Sequence, residues 1–343
     1  MRHTVHVLSR NRMNMLVLRD GGRVLGLYAS NSDENFFWVN SRVFNDPGAI
    51  WKEKWPNPGG DRCWLSPVCN IQLHRKSCNL KYRIPWRVDP GLCHVERWRD
   101  GAVRLCNVGK IFMRRGGKYD TFALERYLSW TENPLRHENW TGKLSYAGYS
   151  QRINLESLSC IENMLSPWSI LQLPIGGEIV IPVYGGSSTV RHVLGMKNTD
   201  SLKFGDGKIQ IKTDGKEDFL LSIPPQMSTG RIGYLRQDGR EWTLVVRNFN
   251  VNPSDEYLNC FSRMSKKPGY AVQSRIVSEG DLSHVELHHH VPATSSQVIH
   301  DTSQTWCFRG NEESILRAAA CLTGYEPFPS CGRLRKAVAN EDR

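Results

Sequence analysis

The densest run of groups able to move protons lies late in the chain, at His284-Val285-Glu286-Leu287-His288-His289-His290-Val291-Pro292. Successive side chains of a strand point to opposite faces. A strand over His284 to His290 would therefore set His284, Glu286, His288 and His290 on one face. Three imidazoles and a carboxylate in a row suit two kinds of chemistry: proton transfer to and from a ligand hydroxyl, or coordination of a divalent ion through neutral ring nitrogens. The plainer alternative is a solvated sheet face that carries histidines, because an antiparallel sheet can keep one side wet. No second cluster of ligand-type residues accompanies the run, so neither a metal nor another cofactor is expected.

A second segment is built for shape. In Trp55-Pro56-Asn57-Pro58-Gly59-Gly60-Asp61-Arg62-Cys63-Trp64-Leu65-Ser66-Pro67, proline and glycine fix an unusual backbone path around Asp61 and Arg62, with tryptophans on either side. Sugars are recognised by stacking of C–H faces on aromatic rings and by charged or planar groups that hydrogen-bond paired hydroxyls. Asp61, Arg62, Trp55 and Trp64 supply those parts. They would equally serve as core tryptophans beside a surface ion pair.

The elements that must position these groups read as strands. Short β-branched, aromatic and aliphatic runs alternate with Gly, Asn, Asp and Pro, and helical periodicity is nearly absent. Expected strands include Met13 to Leu18, Arg23 to Ala29, Phe36 to Asn40, Asn70 to His74, Tyr82 to Val88, Lys143 to Tyr149, Asn154 to Ile161, Trp168 to Gln172, Glu178 to Pro182, Phe219 to Ile223, Trp242 to Phe249 and His284 to His290. Asp-Gly pairs at Asp20-Gly21, Asp100-Gly101, Asp206-Gly207, Asp214-Gly215 and Asp238-Gly239 favour hairpins, so a meander is the simplest topology. One helix is expected from Glu312 to Leu322, capped by Asn311 and stopped by Gly324. Pro292 to Thr302 reads as a loop. The fold class is thus all-β, a large antiparallel β-sandwich with a short C-terminal helix, occupying residues 1–330 and followed by a charged, mobile tail over 331–343.

Composition narrows the function classes. At 343 residues with 39% hydrophobic and 23% charged side chains, no stretch approaches the roughly 18 apolar residues of a membrane helix, so a soluble protein without membrane contact is expected. The N-terminus lacks the apolar core and cleavage site of a secretion signal, which predicts a cytoplasmic protein. The ten cysteines include no CxxC pair, which argues against a zinc knuckle and for buried thiols. A formal charge of +11 favours anionic partners. The basic residues are dispersed and no nucleic-acid-binding signature is present, so nucleic acid is not the expected partner. An anionic sugar polymer would use the same charge. Oligomeric state is not indicated.

The order of several segments resembles the galactose-mutarotase-like superfamily, the aldose 1-epimerase relatives, and within it the bacterial branches of similar length. They are Gly21-Gly22-Arg23-Val24-Leu25, Asn35-Phe36-Phe37-Trp38-Val39-Asn40, Gly59-Gly60-Asp61-Arg62-Cys63-Trp64, Ser166-Pro167-Trp168-Ser169-Ile170-Leu171-Gln172-Leu173 and Val285-Glu286-Leu287-His288-His289-His290-Val291-Pro292-Ala293. The resemblance implies a supersandwich whose concave face holds a carbohydrate, with Glu286 as general base toward an anomeric hydroxyl and Arg62, Trp64, Asp61, His284 and His290 around the sugar. Those enzymes also use a mid-chain histidine as acid on the ring oxygen, and Leu165-Ser166-Pro167-Trp168-Ser169 has none. Ring opening needs both groups, and loss of one removes roughly 10²- to 10⁴-fold of rate. Either His288, His290 or His192 substitutes, or the fold binds sugar without this reaction. A metal-dependent lyase or hydrolase is the further alternative, though a hydrolase needs two separated carboxylates and only Glu286 stands out.

Overall fold

The computed structural model describes residues 4–30, 32–45, 57–71, 85–98, 101–113, 117–157, 165–185, 191–194, 201–205, 207–214, 218–259, 268–278, 283–293 and 298–326. Among these, two antiparallel sheets face each other. The first runs in the order β1 (Val5–Arg10), β2 (Met13–Leu18), β3 (Arg23–Tyr28), β4 (Asp61–Ser66), β9 (Ser166–Pro174), β18 (His284–His290), β17 (Val272–Val277), β14 (Phe219–Ile223) and β11 (Arg191–Leu194). The second runs β12 (Leu202–Gly205), β13 (Lys208–Lys212), β10 (Glu178–Pro182), β15 (Arg231–Asp238), β16 (Glu241–Phe249), β19 (Val298–Gly310), β8 (Ser145–Ser157), β7 (Lys118–Trp130), β6 (Val103–Met113) and β5 (His94–Arg97). No helix among the described residues is long and apolar enough to cross a membrane.

Period-two alternation drives the arrangement. Along β7, Phe122, Leu124, Arg126, Leu128 and Trp130 are buried while the residues alternating with them are partly exposed. Val17, Leu171, Leu173, Val285 and Leu287 from the first sheet meet Leu105, Leu128, Ile179, Val245 and Cys307 from the second in one apolar layer. The helix over Glu312–Thr323 closes the far side of the second sheet. Asn311 caps it by accepting from the Ser314 amide, Glu312 and Glu313 occupy its positive end, and Gly324 ends it at φ 66°. Its Ile315, Ala318, Ala319 and Leu322 cover Leu244, Val246, Trp306 and Phe308.

A charged cluster sits inside the apolar layer. Asp61 on β4 is fully buried, and its carboxylate accepts from Arg247 Nη2 at 2.7 Å, from Arg126 Nη2 at 3.2 Å and from the Tyr149 hydroxyl. Arg247 also donates to Ser169 Oγ and to Thr305 Oγ1, each at 2.9 Å. Both arginines belong to the second sheet and Asp61 and Ser169 to the first, so the cluster bolts the sheets together. Burial works to raise the Asp61 carboxyl, and the Arg247 and Arg126 charges outweigh it and hold it below its usual range.

The meander holds only locally. Hairpins join β2 to β3 and β15 to β16 as the Asp-Gly turns predict, yet β4, β9 and β18 lie side by side although they are far apart in sequence. Ser145 to Tyr149 and Asn154 to Ser157, from two separately expected strands, are parts of one long strand, β8, whereas Lys143 ends a 3-10 turn capped by Leu144. Phe36 to Asn40 is not a strand. The Asn35 side chain accepts from the Leu27 and Phe37 amides, each at 3.0 Å, and so takes the place of a ladder partner. Pro85 to Asp89 is a turn in which the Pro85 carbonyl accepts from the Val88 and Asp89 amides. Val68–Ile71 is one helical turn where a strand was expected to begin. The end of the expected Pro292 to Thr302 loop belongs to β19 and pairs with β8. Residues 82–84, 72–74 and the tail over 331–343 lie outside the described residues.

Asp61→Asn would leave two buried guanidinium groups short of a counter-charge, a change that typically costs about 3–5 kcal/mol. The expected result in urea denaturation is a loss of that size at pH 7. Because the folded pKa of Asp61 is depressed, its stabilising effect is present above roughly pH 4 and fades as pH falls further. The variant should accordingly lose less stability than the wild type on acidification below that pH. A loss under about 1 kcal/mol would show that the sheets do not depend on this carboxylate.

Candidate functional site

Two glycines set the approach to the site. Gly59 (φ 94°) and Gly60 (φ 78°) pass so close to the Trp38 and Val24 carbonyls that a Cβ would lie 2.3 and 2.4 Å from those oxygens. This tight entry starts β4 with Asp61 turned into the apolar layer and Arg62 turned to the outer face of the first sheet. Pairing of β4 with β9 and of β9 with β18 then fixes which side chains share that face: Arg62 lies opposite Ile170, and Gln172 lies opposite Glu286.

Arg62, Gln172, His284, Glu286 and His288 converge there, none more than 5% exposed. Arg62 Nη2 donates to Glu286 Oε1 at 3.1 Å, and its Nη1 donates to Gln172 Oε1 at 2.6 Å and to Asn57 Oδ1 at 2.8 Å. Gln172 Nε2 donates to Glu286 Oε1 at 3.0 Å. His288 Nε2 lies 3.1 Å from Glu286 Oε2, and Arg275 Nη1 lies 3.9 Å from the same oxygen. His284 Nε2 is 2.8 Å from Gln172 Nε2 and 3.3 Å from Glu286 Oε1. That nitrogen can accept from the amide or donate to the carboxylate, and the amide contact is the shorter.

Charge and burial set the protonation states. Burial works to raise the Glu286 carboxyl. Its contacts with His284 and His288 and the Arg62 charge overcome this and hold it well below the usual carboxylate range. Burial lowers Arg62 to about 10, assisted by nearby Arg23. It also lowers His288, against the opposing pull of Glu286. His288 is therefore a neutral imidazole whose Nε2–H donates to Glu286, which leaves Nδ1 as an acceptor. That buried nitrogen has no hydrogen-bond partner among the described residues.

Aromatic rings frame the cluster. Trp38, half-buried, stacks on His284 at 4.3 Å, and Trp168 stacks on His290 at 5.3 Å. Trp64 lies under the Arg62 guanidinium at 4.3 Å and donates through Nε1 to Asp89. Arg23 holds the same Asp89 through two oxygens and also reaches Asn57, so Arg62 is braced from behind.

The predicted site residues thus divide. Arg62, His284, Glu286 and His288 are brought together, with Trp64 on their face beneath Arg62. His290 shares the face but bonds to Gln273 Oε1 at 2.9 Å, its ring 6.4 Å from that of His288. Asp61 is not brought to this face. Strand alternation sends His289 into the layer between the sheets, where it meets Asp301 at 3.0 Å and stacks on Phe249. Trp55 and the side chain of His192 lie outside the described residues. Sequence reading missed Gln172, Trp38, Asn57 and Arg275. The alternation Trp168, Ile170, Gln172 was the available signal for Gln172. Among the described residues no group of three or more His, Cys, Asp or Glu is placed to hold a metal ion.

No protein-family model matches the chain, and no curated protein matches its sequence. Solved structures do match. The Slr1438 protein of Synechocystis aligns over 91% of this chain and 97% of its own, with 11% identity and a TM-score of 0.52. An Escherichia coli K12 protein provisionally assigned as an aldose 1-epimerase aligns over 90% and 99%, with 9% identity and a TM-score of 0.53. A galactose mutarotase-like protein from Lactobacillus casei aligns over 90% and 99%, with 9% identity and a TM-score of 0.47. The fold is the galactose-mutarotase-like sandwich. At such identities the likeness is one of fold, and a fold of this kind does not by itself carry an activity.

The buried imidazoles make an observable prediction. Burial lowers His290 well below 6.5, with the neighbouring His288 and His289 adding to the effect, and it lowers His288 as well. Below about pH 6.5 the unfolded chain takes up protons at these positions that the folded one refuses, so stability falls as pH drops. Each such group contributes a slope of up to about 1.4 kcal/mol per pH unit. In urea denaturation between pH 7.5 and 5, His290→Gln should show a shallower decline than the wild type. Equal slopes would mean that His290 is protonated within the fold.

Proposed function

We propose that this protein binds a carbohydrate on the outer face of its first sheet, around Glu286, and does so without opening the sugar ring. The observation that carries the reading is the convergence of Arg62, Gln172, Glu286 and His288 from three adjacent strands. It gives donors, an anionic acceptor and a bare imidazole nitrogen within a few ångströms, the mixture that paired sugar hydroxyls require. Trp38, half-buried and stacked on His284, closes the His284 end of this face.

Two features argue against ring opening. A general base works best with a pKa near the working pH, whereas Glu286 is held far below it by Arg62 and the imidazoles. The residue opposite it in the register is Gln172, an amide with no proton to give. Isomerase chemistry is the second reading. The contact between His288 Nε2 and Glu286 Oε2 at 3.1 Å favours it, because it sets an imidazole beside the carboxylate.

The test uses a panel of neutral, aminated and acidic monosaccharides, read by thermal shift and by exchange between anomers in NMR. A sugar that binds only the folded protein raises the melting temperature, and at 100 times Kd it adds about 2.7 kcal/mol. The expected outcome is a shift that disappears in Glu286→Gln, with anomer exchange no faster than in buffer. Accelerated exchange that is lost in both Glu286→Gln and His288→Gln would establish the isomerase instead. No shift with any sugar would remove the carbohydrate reading of this face.

A further inference from the structure

The outer face of the second sheet changes character along its length. On β16 and β19 the outward positions Leu244, Val246, Trp306 and Phe308 lie under the C-terminal helix. Just beyond the helix the same outward positions become Asn248, Gln304 and Thr302, which are partly or fully exposed. The side chains between them, Phe249 and Ser303, stay buried in the layer between the sheets, so alternation is kept and only the chemistry of the outer row differs.

This uncovered part forms a cleft of about 500 Å3 across β16, β19, β8 and β7. The strand registers align its side chains in two rows. Asn248 lies opposite Gln304, Gln304 opposite Ser150, and Ser150 opposite Ser129. One step along, Thr302 lies opposite Arg152 and Arg152 opposite Tyr127. Three strand spacings make the first row about 14 Å long and two make the second about 10 Å. At one end Trp98, 43% exposed, meets Tyr127 with ring centroids 5.5 Å apart. The Arg152 guanidinium lies 4.4 Å from the Tyr127 ring centroid.

The chemistry of this lining is that of a binding site without a reaction. It contains no Asp, Glu or His. Gln304 and Arg152 have no hydrogen-bond or ion-pair partner among the described residues, whereas the neighbouring Arg104 is neutralised by Glu96 and Glu125. The exposed Trp98 ring beside a row of amides and hydroxyls suits the alternating C–H and hydroxyl surfaces of a sugar chain, and a guanidinium suits a carboxylate. Stacking rings also suit single-stranded nucleic acid, but such sites track the backbone with a run of cations. Here one cation stands among neutral polar groups.

We propose that this cleft is a second binding site, separate from the Glu286 face, for a short oligosaccharide bearing carboxylates, a uronate chain. The test is calorimetric titration of the full chain with a galacturonate trimer, the neutral trisaccharide maltotriose and a single-stranded oligonucleotide. The trimer should bind the wild type, and Trp98→Ala and Arg152→Ala should each weaken it at least tenfold. Both residues lie at the surface, and Gln304→Ala, expected to weaken binding severalfold, guards against a folding defect in either. Glu286→Gln should leave this affinity unchanged, which separates the cleft from the other face. Loss of trimer binding in Glu286→Gln alone, or no binding at all, would overturn the site. Maltotriose binding as tightly as the trimer would overturn the acidic assignment, and an oligonucleotide binding more tightly would make this a nucleic-acid surface.

Discussion

A carboxylate cut off from water has to be shared among donors, and the sharing of Asp61 between Arg126 and Arg247 is the constraint on which the geometry of the first sheet depends. A lone buried charge would be neutralised or expelled. Here two guanidinium groups from the second sheet and the Tyr149 hydroxyl hold it in place. Fixing Asp61 inward leaves Arg62, its neighbour in sequence, no choice but the outer face. The same cluster fixes β9 through Ser169, so the outward neighbour positions Ile170 and Trp168 are fixed with it. One ionic cluster inside the protein therefore aims the residues on both strands that meet Glu286.

The Glu286 face is balanced in the opposite sense. Its carboxylate faces Arg62 and, at longer range, Arg275, so positive charge exceeds negative around it. A carboxylate so placed is a strong acceptor and a weak base, because every interaction that makes it a good partner for donors stabilises its charged form. Gln172 extends the same logic: its oxygen is used by Arg62 and its nitrogen by Glu286, which orients the amide completely. The arrangement is rigid and polar, and its spare hydrogen-bonding atoms include the acceptor His288 Nδ1.

How much of this was legible in sequence follows from the range of the interactions involved. The strand His284–His290, the one-faced set His284, Glu286, His288 and His290, and the capped C-terminal helix depend on neighbours within a few residues, and those patterns are local. The adjacency of β4, β9 and β18 is not local. It arises from pairing between segments more than a hundred residues apart, and alternation within a strand carries no information about the partner. Asp61 was read with Arg62 as one functional unit, and only the alternation of β4 separates them. Phe36 to Asn40 has strand-forming residues, but the Asn35 side chain captures the backbone donors locally, a competition that propensity does not register.

The two outer faces of the sandwich show how one fold handles exposed sheet surface in different ways. On the first sheet the outward row of β18 is three imidazoles and a carboxylate, and the fold seals it, satisfying most polar atoms internally. On the second sheet the outward row divides, with apolar residues where the helix lies and amides, hydroxyls and one unneutralised guanidinium where it stops. An unpaired polar group costs little in water and a great deal when buried. The sealed face must therefore be nearly complete before any ligand arrives, and a ligand there competes with bonds already made. The open face makes no such demand on its side chains. Its hydroxyls and amides are engaged only in part, as in the Ser129–Ser150 and Asn250–Thr302 contacts, which lets a shallow row of neutral groups and the exposed Trp98 ring act together as a binding surface.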